Sequence, residues 1–161
     1  METPNFLGGN IRLLQMRERD LPAICECRNT GGVRERFMDA EEVTEESTRQ
    51  WFEKCIEEGD CLWVICPRDT ENIVGMVSLY GIDVAESMAQ FGRLMVLPEF
   101  QRFGYAREAL ATVMGWAKYS GLDHLMLEVR NDNRPAILLY ESTGWETEVI
   151  EEEVRVMSRS L

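Results

Sequence analysis

Val96-Leu97-Pro98-Glu99-Phe100-Gln101-Arg102-Phe103-Gly104-Tyr105-Ala106 is the stretch on which the reading of this chain turns. The apolar run that leads into it, Phe91 to Leu97, has the composition of a buried strand. Pro98 has no N–H to donate to a ladder and stops that strand. The loop then reaches Gly104 and Ala106, small residues placed where a helix begins. Strand, loop and helix start in this order make an anion site, because the first turn of a helix carries unpaired N–H groups and the positive end of the dipole. Small residues let a phosphate approach the backbone, and Arg102 and Arg107 add cations on either side.

The helix that follows is expected over Gly104 to Ser120. Ala109, Leu110, Val113, Met114 and Ala117 recur at helical spacing, and Gly121 suits the position just past the end. An apolar strand, Leu125 to Val129, comes next, so strand, helix and strand form a βαβ unit with two parallel strands. Arg134 to Ser142 reads as a short helix ended by Gly144, with Thr147–Ile150 and Val154–Ser158 as closing strands. Upstream, Asn10 to Leu14 is expected as the first strand and Asp20-Leu21-Pro22 as the start of a helix reaching Arg28. Thr44 suits the N-cap of a second helix through Glu58, striped by Trp51, Phe52, Cys55 and Ile56. Leu62 to Cys66 and Ile73 to Tyr80 read as strands, with Gly75 marking a bulge in the second. Phe37 and Met38 fit either a pocket wall or the core.

Composition sets the frame. The 161 residues suit one domain spanning 1–161, with 45% hydrophobic and 29% charged residues. No apolar run is long enough for a bilayer and no signal-peptide pattern opens the chain, so no membrane partner and a cytoplasmic location are expected. The net charge of −12 argues against a nucleic-acid partner and favours a cationic one. The five cysteines are an odd number without a secretion signal and read as reduced thiols. A zinc site is the competing reading; Cys25-x-Cys27 and the Cys61/Cys66 pair lack the usual spacing, so no metal is expected. The lone histidine, His124, reads as a strand-start or surface residue and leaves little room for Ser-His-Asp or Cys-His chemistry.

Two motifs then carry a resemblance. The loop lacks both the lysine-containing nucleotide pattern and Gly-x-Gly-x-x-Gly, and reads Gln101-x-x-Gly104-x-Ala106. Downstream, Asn133, Ala136, Tyr140 and Gly144 stand in the register Asn-x-x-Ala-x-x-x-Tyr-x-x-x-Gly, with Trp145 where Phe is common. This pair of motifs, in this order, resembles the GNAT superfamily of acetyl-CoA-dependent N-acetyltransferases over about Met88 to Trp145. The resemblance implies an α/β (α+β) fold with a mixed, mostly antiparallel sheet of six or seven strands and helices on both faces. It implies acetyl-CoA as cosubstrate and an amine as acceptor, and a homodimer is common in the superfamily.

The segment from Leu127-Glu128-Val129-Arg130 to Gly144-Trp145 is most similar to ribosomal-protein alanine N-acetyltransferases, which implies Glu128 as general base and Tyr140 as general acid. The chemistry fits: an ammonium must lose a proton before its nitrogen attacks a thioester, and the departing thiolate needs one. A strand splay after Met95–Val96 would free the Val96 N–H for the thioester oxygen. The N–H groups from Gln101, Arg102, Phe103, Gly104 and Tyr105 to Ala106 would hold the pyrophosphate. Asn133 would bond the pantetheine or cap the last helix, beside Ala136. Cys27-Arg28-Asn29, Val33-Arg34 and Gln50-Trp51-Phe52 resemble segments of RimJ- and RimL-like enzymes and of nucleotide-amino-sugar acetyltransferases. A peptide N-terminus, a polyamine and an amino sugar therefore all stay open as acceptors. A non-catalytic acetyl-CoA-binding sensor or structural subunit needs neither Glu128 nor Tyr140, and a longer acyl group would need room beside Met95 and Met114.

Overall fold

The computed structural model describes residues 1–161. Its strands are β1 (Phe6–Leu7), β2 (Ile11–Gln15), β3 (Cys61–Pro67), β4 (Gly75–Asp83), β5 (Met88–Val96), β6 (His124–Arg130), β7 (Glu146–Ile150) and β8 (Val154–Ser160). Its helices are α1 (Leu21–Asn29), α2 (Glu45–Glu57), α3 (Tyr105–Tyr119) and α4 (Arg134–Ser142). The strands form one sheet in the order β1-β2-β3-β4-β5-β6-β8-β7, antiparallel throughout except for the parallel β5/β6 pair. The sheet has eight strands where six or seven were expected. The extra one is β1, whose two residues pair with Arg12 and Leu13 and are too short to leave a periodic pattern.

The continuous apolar runs have a simple cause: both faces of the sheet are covered. On one face Cys61, Trp63 and Ile65 of β3 pack with Ala109, Leu110, Val113 and Ala117 of α3 and Ile137 of α4. On the other face Leu62, Val64 and Cys66 pack with Leu21, Ile24 and Cys27 of α1 and Cys55 of α2. Thr44 caps α2 as its sequence predicts, its hydroxyl accepting from the Ser47 N–H. Ile56 departs from the expected stripe and lies exposed, as does Met38.

The bulge lies elsewhere than expected. Gly75 is a point of close approach instead: a Cβ there would overlap the Met95 carbonyl oxygen across the ladder. The irregularity is in β5, where register slips between the Met76–Met95 and Ser78–Gly92 pairs and Arg93 adopts a left-handed conformation at φ 55°. The extra residue exchanges the faces of the strand. Phe91 packs with the α3/α4 core, whereas Met95 packs with the α1/α2 core. The β4 strand also runs to Asp83, further than the sequence suggested, with a second slip between Tyr80 and Asp83.

All five cysteines are buried and unpaired. Burial pushes the Cys27 thiol from 9.0 up to about 11, helped by Glu26 and Glu99, and pushes the Cys55 thiol up to about 12. His124 is exposed at the start of β6, beside the Ser160 hydroxyl.

Two outcomes follow from this packing. Gly75→Ala forces backbone apart at the β4/β5 ladder and lowers stability by about 3 kcal/mol in urea titration. The unfolded chain releases thiol protons near 9.0 while the folded chain keeps them, so the contribution of Cys27 is whole below that pH and is lost as pH rises toward about 11. Denaturation midpoints should therefore fall over that interval, and a flat profile contradicts the assignment.

Candidate functional site

The β5 and β6 strands pair only at Met88–His124, Ala89–Leu125 and Gln90–Met126. Past Gln90 they part, β5 staying with β4 and β6 with β8. The splay thus opens well before Met95–Val96, where the sequence reading had put it. The bulge at Arg93 lies inside the opened segment of β5.

A cavity of about 420 Å³ fills the opening. Leu94, Met95 and Val96 form one wall, the Gln101–Arg107 turn a second, and Asn133, Pro135, Ala136, Leu139 and Tyr140 of α4 a third. The segment Gly32–Phe37 closes it from the N-terminal half. The Leu97 N–H donates to the Val74 carbonyl at 2.8 Å. Alternation along the strand therefore turns the Val96 N–H away from β4, toward the open edge. The Val96 carbonyl points the same way and accepts from Gln101 Nε2 at 2.9 Å. The side chain of Gln101 thus ties the loop to the strand, a role beyond the main-chain one expected of it.

The turn is wound tightly. Arg102 has φ 69° and Gly104, the N-cap of α3, has φ 80°. Alternating hands of this kind gather successive N–H groups into an anion-binding concavity. Nothing stands within 4 Å of the position of a Gly104 Cβ, so the conformation and not crowding calls for glycine. Arg102 has no such freedom, and its left-handed backbone costs about 1–2 kcal/mol. Phe103 lies outside the cavity, 63% exposed and stacked on Tyr105 with ring centroids 5.7 Å apart. Three arginines, Arg36, Arg102 and Arg107, line the cavity and no carboxylate does. At the ionic strength of a cell the charges of distant carboxylates are screened beyond about 8 Å. Three cations thus stand on the wall of a chain whose net charge is −12, with the Glu35 carboxylate nearby on the Gly32 N–H at 2.7 Å.

Tyr140 is buried in the cavity wall, its ring edge-on to Phe91 at 6.2 Å. Burial, with Tyr80 nearby, pushes its phenol well above the ordinary tyrosine range, so the group keeps its proton. Asn133 occupies the N-cap position of α4 but makes no capping bond; its Oδ1 accepts from Arg36 Nη1 at 3.4 Å. Glu128 is not part of the cavity wall and is exposed on the α1/α2 face of β6, the face opposite Leu127 and Val129. The candidate acid and base thus stand on opposite sides of the parted strands. Met114 also lies off the cavity.

Sequence reasoning missed the residue between them. Tyr80 reaches from β4 across β5, its Cε1 only 2.9 Å and its hydroxyl 3.2 Å from where a Gly92 Cβ would stand. Gly92 is what lets the ring lie there, and a glycine inside a strand was the available signal. Burial raises the Tyr80 phenol, Arg93 opposes this, and Glu128 and Asp60 add to it. Arg36 and Leu94 were also missed, because nothing local marks a contact made across so much sequence.

This geometry has relatives. Human N-acetyltransferase 8 is 32% identical over 92 residues, 55% of this chain and 40% of that protein. The chain spans less than half the length of the curated relatives it matches. A probable GNAT-family acetyltransferase from Chromobacterium violaceum superposes with TM-score 0.86 at 16% identity, covering 99% of this chain and 87% of that one. The spermidine N-acetyltransferase of Vibrio cholerae, solved with CoA and spermine, superposes with TM-score 0.84 at 21% identity, covering 95% and 96%. At such identities these two likenesses establish the fold. Residues 26–145, well over half of the chain, match the acetyltransferase (GNAT) family, and the chain belongs to that family.

Proposed function

We propose that this protein moves an acetyl group from acetyl-CoA directly to a primary amine. The observation that carries the reading is the cavity at the parted strands, with its wound N–H turn, its arginines and one buried, protonated phenol. A pyrophosphate fits the N–H groups from Gln101 to Ala106, with Arg102 and Arg107 adjoining. The apolar wall of Leu94, Pro135, Ala136 and Leu139 fits a pantetheine arm. Acetyl-CoA supplies an activated thioester.

The chain's residues then take separate tasks. The Val96 N–H, turned into the gap, donates to the thioester oxygen as charge develops there. Glu128, on the far side of the gap, accepts the ammonium proton directly or through water. Tyr140, in the cavity wall, donates its phenol proton to the departing sulfur. No cysteine lines the cavity, which supports direct attack over an acyl-cysteine. The buried, unpaired thiols accord with a reducing compartment such as the cytosol. A non-catalytic acetyl-CoA binder would use the same turn and arginines, but it gives no task to a tyrosine hydroxyl in the cavity wall.

Tyr140→Phe should lower kcat about 100-fold in a thiol-release assay while leaving acetyl-CoA affinity little changed. Because its pKa is raised, Tyr140 does not ionise below about pH 9, and the wild-type rate should not fall there through loss of its proton. Wild-type activity in the Phe variant would remove the acid role. Glu128→Gln should depress the rate most at low pH, where the free amine is scarcest; an unchanged pH–rate profile would assign the base elsewhere.

A further inference from the structure

The α1/α2 side of the gap holds a cation that the scheme above does not use. Arg93 sits at the bulge of β5, and its left-handed backbone directs its side chain to the face of Met95, Trp51 and Tyr80. One nitrogen, Nη1, donates to Asp60 Oδ2 at 2.9 Å, where the Asp60 side chain is only 1% exposed. The guanidinium lies over the Tyr80 ring at 4.2 Å and beside the Trp51 ring at 5.5 Å. Three partners from three elements thus fix its plane, and an arginine so held loses little further freedom on binding.

The fixed group still has capacity. Its Nε and Nη2 make no hydrogen bond within the protein, and neither is sealed from water. The side chain is 23% exposed. Asp60 is spent on Nη1, so the open edge of the group is a planar set of donors with net attraction for an oxygen. Tyr80, whose ring it covers, lies at the mouth of the gap over Gly92. An amine entering from this side has Arg93 next to it.

We infer that Arg93, held by Asp60, Tyr80 and Trp51, reads a carbonyl or carboxylate oxygen on the carbon next to the acceptor amine. The acceptor class is then an α-amino carbonyl compound, meaning an amino acid or the N-terminus of a peptide. A diamine offers Arg93 no oxygen, and its second ammonium gains nothing from a guanidinium already paired with Asp60. An amino sugar offers hydroxyls, which gain less from a guanidinium than a carbonyl or carboxylate does. The inference rests on the transferase reading above.

The test is a panel of kcat/KM values at saturating acetyl-CoA for L-alanine, L-alanine amide, an alanine-led tripeptide, 1,4-diaminobutane and glucosamine. The three α-amino carbonyl acceptors should exceed the other two by about tenfold or more, with free alanine against its amide telling carboxylate from carbonyl. In Arg93→Lys and Arg93→Met that ratio should fall about tenfold, mainly through a raised KM for the α-amino carbonyl acceptors. The CoA-induced thermal shift of each variant reports whether its fold is kept, and the wild-type panel decides the matter even if a variant does not fold. A lead for the diamine or the sugar overturns the inference alone, as does an equal loss for every acceptor in folded variants. Absence of transfer to any amine overturns the transferase reading and this inference with it.

Discussion

The site exists because two parallel strands stop pairing. The β5 and β6 strands share hydrogen bonds at only three positions before they part. Their main-chain N–H and C=O groups beyond that point then need other partners, since a buried unpaired group costs about as much as a lost hydrogen bond. The β4 and β8 strands take one edge of each, and the Gln101 side chain takes the Val96 carbonyl. Among the main-chain groups left facing the gap is the Val96 N–H, beside a lined cavity.

Within the parted segment lies a strained residue with its clamp. Arg93 in a left-handed backbone costs about 1–2 kcal/mol, and the extra residue it adds turns β5 over between Phe91 and Met95. Asp60 closes the clamp from the end of α2, in a salt bridge whose carboxylate is almost wholly buried. Removing one partner from such a pair is strongly destabilising, because the other charge is left without compensation. The same device sets an ion pair, with open guanidinium donors, on one side of the opening. On the other side Arg36, Arg102 and Arg107 line the cavity. The charges near each ligand, and not the net charge of the chain, set the local field.

The C-terminal half was readable because its signals are local. Pro98, Gly104, the α3 stripe, Gly121 and the Asn133–Trp145 register each act within a few residues, and the elements came out within a residue or two. What eluded the sequence is made across distance. The Asp60–Arg93 pair joins residues far apart in the chain, and Arg36 meets Asn133 from still further away. The bulge was placed at Gly75 because glycine marks bulges, whereas the bulged residue is an arginine in a conformation it rarely adopts. Tyr140 lines the cavity and Glu128 lies on the other face of β6, a placement that strand alternation sets and the motif does not carry.

The central claim is that the parted strands and the wound turn bind CoA. It is tested most directly by thermal unfolding with CoA, acetyl-CoA and ATP at matched concentrations. At about a hundredfold excess over Kd a ligand adds about 2.7 kcal/mol to the folded state. For a chain of this length that raises the midpoint by about 5–10 °C. The account predicts such a rise with CoA and acetyl-CoA and none with ATP, because ATP has phosphates for the turn but no pantetheine arm for the apolar wall. Equal shifts with all three would reduce the cavity to a general phosphate site, and no shift with any would contradict the account.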